Sequence, residues 1–248
     1  MSLIYWPMIS GPVAQSSGLA HDPFFSSVVQ LAHFDGTNGS TTYTNSCSRG
    51  NTLANTGSLG SLLTTSSPKW GTACLNNPNS GIGNGLRGAT HADYNFSTSD
   101  WTVEFWVNPT TLNDDFNATK IYFDMRDSSL TAAWVPNLND GGLHDGTIRY
   151  VGNGVARITS AAGAITAGVF QHVALCRASG TTRLFVNGTQ VGSNFTDSNT
   201  YVQNQMSLGI AGNGGGSCVG KFDDLRVTNG VGRYAANFSI PSGAFPNS

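Results

Sequence analysis

Asp100-Trp-Thr-Val-Glu-Phe-Trp-Val107 decides the fold of this chain. Trp101, Val103, Phe105 and Val107 fall on one side of an extended backbone, and Thr102, Glu104 and Trp106 on the other, the period-2 pattern of a strand with one buried face. Two of the five tryptophans lie here, and rings of that size dominate any core they enter. The stretch is read as an anchor strand against which neighbouring strands pack.

Working outward from it, the same signature recurs in short pieces. Toward the carboxyl end, Ile121 to Met125, Ala132 to Val135, Thr147 to Val151, Ala156 to Thr159 and Val169 to Arg177 read as strands separated by turn residues. Arg183-Leu-Phe-Val-Asn-Gly-Thr-Gln-Val-Gly192 gives the clearest local signal, because Asn-Gly supplies the positive φ angles of a type I′ hairpin turn. Ser207 to Ala211 and Lys221 to Thr228 follow as strands, and Tyr234 to Pro246 reads as a tail lying back over the body. Toward the amino end, Val28 to Phe34 is a strand closed by turn-forming residues. A rim of loops runs to about Ala73, and Gly81 to Phe96 reads as irregular. Residues 1–28, broken by Pro7, Gly11, Pro12, Gly18 and Pro23, read as an extension ahead of one domain over 29–248.

No stretch carries an apolar 3.6 period, so helix is expected to be minor. Many short strands joined by turns predict an all-β fold, a two-sheet antiparallel sandwich. Composition agrees: 10% of the 248 residues are charged and 31 are glycine, against roughly 25% charged in an average soluble domain. The net charge of −2 comes with three lysines and nine arginines in no cluster, which excludes a phosphate-backbone footprint and so nucleic acid. No apolar run approaches the roughly 20 residues that span a bilayer, and no membrane partner is expected. The start, Met-Ser-Leu-Ile-Tyr-Trp-Pro-Met, lacks a basic segment followed by a long apolar block, so no export signal is read. Cys47, Cys74, Cys176 and Cys218 show no metal spacing and are expected to remain free thiols. Six Asn-x-Ser/Thr sequons, at Asn38, Asn95, Asn117, Asn187, Asn194 and Asn237, follow from the composition and carry no weight without export.

In order along the chain, Asp22-Pro-Phe-Phe-Ser-Ser-Val-Val, Leu31-Ala-His-Phe-Asp-Gly-Thr-Asn-Gly-Ser-Thr-Thr, the anchor strand, Phe170-Gln-His-Val-Ala-Leu-Cys-Arg, the Asn187-Gly188 hairpin and Phe222-Asp-Asp-Leu-Arg-Val-Thr-Asn-Gly-Val-Gly-Arg-Tyr resemble the laminin-G-like, concanavalin A-like lectin/glucanase jelly rolls. The resemblance is to the version that recurs in tailed-bacteriophage virion proteins. It implies a jelly-roll sandwich and a virion location. One segment departs from it: Gly83-Asn-Gly-Leu-Arg-Gly-Ala-Thr-His-Ala-Asp-Tyr stands where the family carries an apolar-Asp-Gly-Ser-Gly-Asp-Tyr loop.

The glucanase branch cuts polysaccharides with paired carboxylates on one strand, and a retaining glycosidase needs two carboxyls roughly 5 Å apart. Glu104 is the sole glutamate, and its alternating partners Thr102 and Trp106 are not acids. It reads instead as a polar residue on the less buried face or as an arginine's partner, and no enzyme is expected. Gly215-Gly-Ser-Cys-Val-Gly-Lys221 imitates a phosphate-binding loop, but Phe222 stands where a Ser or Thr would hold Mg²⁺ and a strand follows where a helix should. It reads as a flexible glycine connection. His21, His33, His91, His144 and His172 are scattered with no nucleophile elbow beside them, and read as structural.

The resemblance also implies a structural Ca²⁺, for which Asp35, Asp223 and Asp224 are the candidate carboxylates; hard cations want six to eight oxygens. The competing reading has Asp35 capping a turn and Asp223 paired with Arg226 or Lys221. Tyr94, Trp134 and Tyr201 are candidates for stacking on sugar rings, or for ordinary packing. Taken together, the expectation is a non-enzymatic phage structural protein needing no cofactor. It is a head decoration or cement protein held to a major capsid or tail protein through residues 1–28, and it assembles as a homo-oligomer. A tail-associated adsorption protein binding a host surface glycan is the alternative.

Overall fold

The computed structural model describes residues 21–49, 51–56, 60–78, 83–113, 119–131 and 133–248. Fifteen strands follow in chain order: β1 (Val28–Ala32), β2 (Leu53–Thr56), β3 (Leu62–Thr64), β4 (Cys74–Asn77), β5 (Gly85–Gly88), β6 (Trp101–Pro109), β7 (Ile121–Asp124), β8 (Asn137–Asn139), β9 (Arg149–Gly152), β10 (Val155–Thr159), β11 (Gln171–Ala178), β12 (Thr181–Val186), β13 (Thr189–Thr196), β14 (Ser207–Leu208) and β15 (Gly220–Asn229). Helix among the described residues is limited to two 3₁₀ turns, Phe25–Ser27 and Ala92–Tyr94, and no helix is long and apolar enough to cross a membrane.

The strands form two antiparallel sheets, as the pattern predicts. One has eight strands in the order β13-β12-β11-β6-β15-β4-β3, with β1 also on β15; the other has seven, β10-β9-β8-β7-β14-β5-β2. β15 serves two partners along one edge, β4 against Gly220 to Phe222 and β1 against Leu225 to Thr228. Its register with β6 breaks between Asp223 and Arg226, where Asp224 takes a positive φ of 48°. A bulge of this kind turns a strand so that different residues meet the two faces.

Trp101, Val103, Phe105 and Val107 enter the core between the sheets, where Trp101 stacks on Phe96 and Phe105 on Phe123. The opposite face of β6 is also covered: Glu104 is 0% exposed and Trp106 1%. The expectation of one buried face is therefore corrected. The cover comes from the chain ends, since Tyr234 and Phe238 pack on Ala174, Cys176 and Phe185, and Phe245 packs on Val28 and Leu31. The tail expected over residues 234–246 does lie back on the body. Of the segment read as an extension, 1–20 lies outside the described residues, while Asp22 is buried and its N–H donates to the Ser248 carbonyl at 2.5 Å.

The hairpin turn has φ of 49° at Asn187 and 74° at Gly188, joining Val186 to Thr189 in register. Three readings need correction. β2 and β3 occupy a stretch read as loops and β5 one read as irregular, and of the strand expected at 132–135 residue 132 lies outside the described residues while 133–135 form none, β8 following over Asn137–Asn139 just beyond Pro136. Proline offers no ladder donor, so pairing resumes after it.

Candidate functional site

The seven-stranded sheet puts apolar residues inward and polar ones outward in matching rows. Leu86, Leu208, Phe123 and Leu138 are aligned across four strands and all face the core. Their sequence neighbours Arg87, Ser207, Asp124 and Asn137 are aligned too. Because side chains alternate along a strand, this second row points outward. The next level adds Ile121, Asn139 and Arg149 on the outer side of Tyr150 and Leu138.

On this outer surface lies a groove of about 480 Å³ lined by Asn137, Asn139 and Arg149 from the sheet floor, Arg126 and Asn213 from loops, and Ile121, Val151 and Ala156 as apolar contacts. Among the described residues its lining contains two arginines and three asparagines and no carboxylate. The floor is cross-linked: Asn139 Nδ2 donates to Asn137 Oδ1 at 2.5 Å, and Gly141 N–H donates to Asn139 Oδ1 at 2.9 Å. Asn137 Nδ2, in a side chain 1% exposed, has no hydrogen-bond partner.

One wall is built on Asp124, 0% exposed, whose carboxylate takes Arg126 Nε and Nη2 at 2.9–3.1 Å and the Gly212 N–H at 3.0 Å. The Gly212 carbonyl receives Arg87 Nη2. The glycine run that imitates a phosphate loop is thus the lip of the groove, pinned at Gly212, and Gly220 and Lys221 already belong to β15. The run is otherwise the connection between β14 and β15 that was expected there. A second depression of about 340 Å³ adjoins through Arg126, reaching Gln203 and the 65% exposed Val202.

Asp35 and Asp223 border the loop at 69–73 and Asp224 meets His33 and the tail, and each side chain already accepts N–H or O–H donors. Asp35 Oδ1 accepts from the Thr72 N–H, from Thr72 Oγ1 at 2.9 Å and from the Ala73 N–H at 3.3 Å. Asp223 Oδ2 accepts the Lys69 and Trp70 N–H groups at 2.8 and 3.1 Å, not Arg226 or Lys221. Asp224 holds His33 Nδ1 at 2.5 Å and the Phe245 N–H at 2.7 Å. Donor hydrogens aimed at a carboxylate oppose a cation, so as they stand these residues do not fit Ca²⁺. Among the described residues no group of three or more His, Cys, Asp or Glu is placed to hold a metal. Burial, and then the neighbouring Asp224 charge, push the Asp223 carboxyl up to about 8 against the pull of its N–H donors.

Glu104 lies under the tail on the other sheet. Arg226 Nε and Nη2 reach its Oε1 at 2.9 and 2.8 Å, Tyr234 Oη donates to Oε2 at 2.7 Å, and His172 Nε2 lies 3.2 Å from Oε2. Asp22 balances the second charge, accepting Arg226 Nη1 at 3.0 Å and Arg233 Nη2 at 2.8 Å. Burial would raise the Glu104 carboxyl, but the Arg226 charge, the His172 contact and Arg233 outweigh it and hold the group well below the usual carboxylate range. Glu104 is an arginine's partner, as one of the sequence readings had it.

His33 serves Asp224 and Asn247, His91 caps the Ala92–Tyr94 turn, and His144 Nδ1 lies 3.0 Å from Asp140. Tyr94 and Tyr201 are 0% exposed, which removes them as sugar platforms; the Tyr201 hydroxyl donates to Asp197 at 2.7 Å. Trp134 is half-buried and stacks on Phe195 with Arg157 over its ring at 4.6 Å. All four cysteines are buried, and none forms a disulfide. Sequence reasoning missed the groove residues Asn137, Asn139 and Arg149. The available signal was polar-apolar-polar alternation in Asn137-Leu-Asn139, masked by the turn preference of Asn, whereas Arg149 lay in a stretch already read as a strand with nothing to mark its outward side.

Residues 83–232 match the family model described as the concanavalin A-like lectin/glucanases superfamily. A comparison with curated proteins finds no match. Among solved structures, the binding domain of botulinum neurotoxin DC in complex with rat synaptotagmin II is similar at a TM-score of 0.57 and 8% identity, over 85% of this chain and 50% of that one. The same domain in complex with SialylT gives 0.54 at 10% identity, over 84% and 49%. The Trypanosoma rangeli sialidase in complex with sialic acid gives 0.51 at 12% identity, over 84% and 32%. The chain spans half or less of the length of these structures, and at such identities the likeness is one of fold.

Proposed function

The chain belongs to the concanavalin A-like lectin/glucanases superfamily, and from that premise we propose that it is a non-enzymatic saccharide-binding jelly roll whose ligand lies in the groove over the seven-stranded sheet. The observation that carries the reading is the groove lining: amides and guanidinium groups beside small apolar residues, on a rigid cross-linked floor. Convergent polar groups over an apolar surface are what a sugar ring needs, hydroxyl partners on its edges and contact for its C–H faces. Two of the fold neighbours were solved with SialylT or sialic acid, which supports the reading at the level of fold.

Against catalysis stands the chemistry of the lining. Glycoside cleavage by the usual route needs two carboxyls about the scissile bond, and among the described residues the lining offers none while Asp124 is paired with Arg126. Glu104 is sealed under the tail with its arginines. As the setting we propose the surface of a tailed-bacteriophage particle, which is what the six resembling segments imply. Within it the groove favours a tail-associated adsorption role over a head decoration role, since a cement protein needs no ligand depression.

The test is a glycan array run with the native chain and with Ala156→Trp, which fills the groove without removing a hydrogen bond. Binding to a defined saccharide class is expected for the native chain, weakened at least about tenfold by the tryptophan, with an unchanged melting temperature. Binding indifferent to the substitution, or release of reducing ends from a polysaccharide, overturns the reading.

A further inference from the structure

Arg126 and Arg149 both line the groove, but their charges are not equally available. Arg126 is locked bidentate on Asp124 at 2.9–3.1 Å. Arg149 has one polar partner, the neutral Asn139 Oδ1 at 3.3 Å from Nη2, and its Nε is buried without any. No carboxylate among the described residues pairs with it. Among the described residues the groove therefore carries one uncompensated positive charge.

That charge is held in place. Asn139 orients one edge of the guanidinium, and Gly141 lies under its plane: a Cβ there would fall 2.0 Å from Arg149 Cζ. Gly141, at φ 70°, is the residue type that lets the group lie flat against the backbone. A half-buried guanidinium without a counter-ion is costly to keep, and its planar fork matches a carboxylate.

We propose that the groove selects saccharides bearing a carboxylate, uronic or sialic, with the Arg149 guanidinium as the seat of the acid and Asn139 and Asn213 meeting ring hydroxyls. This deepens the saccharide-binding reading and rests on it. The depression that continues past Arg126 gives room for a second sugar residue. A single unpaired cation, with the neighbouring Arg126 already paired to Asp124, suits one carboxylate and does not suit a phosphate backbone, which needs several.

Titration calorimetry on the full chain tests this with four probes: tetragalacturonate, its methyl ester, sialyllactose and lactose. At least one acidic probe is expected to bind about tenfold or more tightly than its neutral counterpart, and which acid wins identifies the source. The preference should weaken as salt is raised and vanish in Arg149→Gln. Arg149→Lys, which keeps the charge and loses the fork, should fall between. Equal binding of acid and neutral probes, or a preference that survives Arg149→Gln, overturns the inference. If that binding is still blocked by Ala156→Trp, the saccharide reading stands without it, and if no probe binds, this inference falls.

Discussion

Glu104 shows how a lone residue misleads when read by itself. A solitary glutamate on an anchor strand invites a catalytic role, and its actual one depends on Arg226 and Tyr234, more than a hundred positions downstream. Removing one member of a buried ion pair strands the other, so Glu104→Gln should lower unfolding free energy by about 3 kcal/mol in urea titration and leave groove binding unchanged. Asp22 and Glu104 both titrate below their ordinary values of 3.8 and 4.5, so the stability they contribute is complete above those values and is lost as pH falls further. Asp223 works the other way. With its carboxyl raised to about 8 and Oδ1 buried without a partner, the native state holds a proton that the unfolded chain releases, and stability falls by about 1.4 kcal/mol per pH unit between about pH 4 and 8. His33, raised by Asp224 against its own burial, adds loss of the same sign as pH rises. Asp223→Asn should flatten the fall in urea midpoints, leaving the His33 share; an unchanged slope would refute the assignment. Since Asp35, Asp223 and Asp224 already receive donors, a chelator is expected to leave the melting temperature where it was.

At the scale of elements, legibility followed length and side-chain size. β6, β11 and the β12–β13 hairpin are long or carry a decisive turn, and alternation exposes them. β2 to β5 are three or four residues each, Leu-Ala-Asn-Thr, Leu-Leu-Thr, Cys-Leu-Asn-Asn and Gly-Leu-Arg-Gly, too short and too rich in turn-prone residues for a period to show. They are strands because tertiary pairing overrides propensity. The groove was invisible for a related reason: its floor is the outward half of such strands, and nothing in Asn137 or Arg149 alone says that they align. The hairpin makes a sharper claim. Gly188 has φ of 74° and a Cβ there would meet the Phe238 carbonyl at 2.1 Å, so Gly188→Ala both strains the turn and lifts the tail. A loss of about 2 kcal/mol is expected by chemical denaturation, whereas Thr189→Ala, next to it and exposed, should cost under about 0.5 kcal/mol.

For the whole molecule the two sheets divide the work, one facing the groove and the other sealed by the chain ends. The seal is built from Tyr234, whose N–H meets Cys176 Sγ at 3.3 Å, from Phe238 stacked on Tyr234 at 3.6 Å, and from Phe245 with the Arg226 guanidinium 4.0 Å from its ring. Burying three aromatic side chains contributes several kcal/mol, at about 1.5–3 kcal/mol for each large apolar group, so a chain ending at Arg233 should be less stable by that order. The thiols report where the loss occurs. Cys176 lies under Tyr234, and burial pushes its thiol up to about 11, which makes it inert in the intact protein, while Cys218 sits between the sheets. In native buffer an aromatic disulfide reagent followed by mass spectrometry should therefore label Cys176 in the shortened chain and not in the full one, with Cys218 protected in both. The saccharide binding proposed for the groove, on the opposite sheet, should survive the truncation. Labelling of Cys218 together with Cys176 would mean that the sheets themselves had separated, and that the tail is part of the core and not its cover.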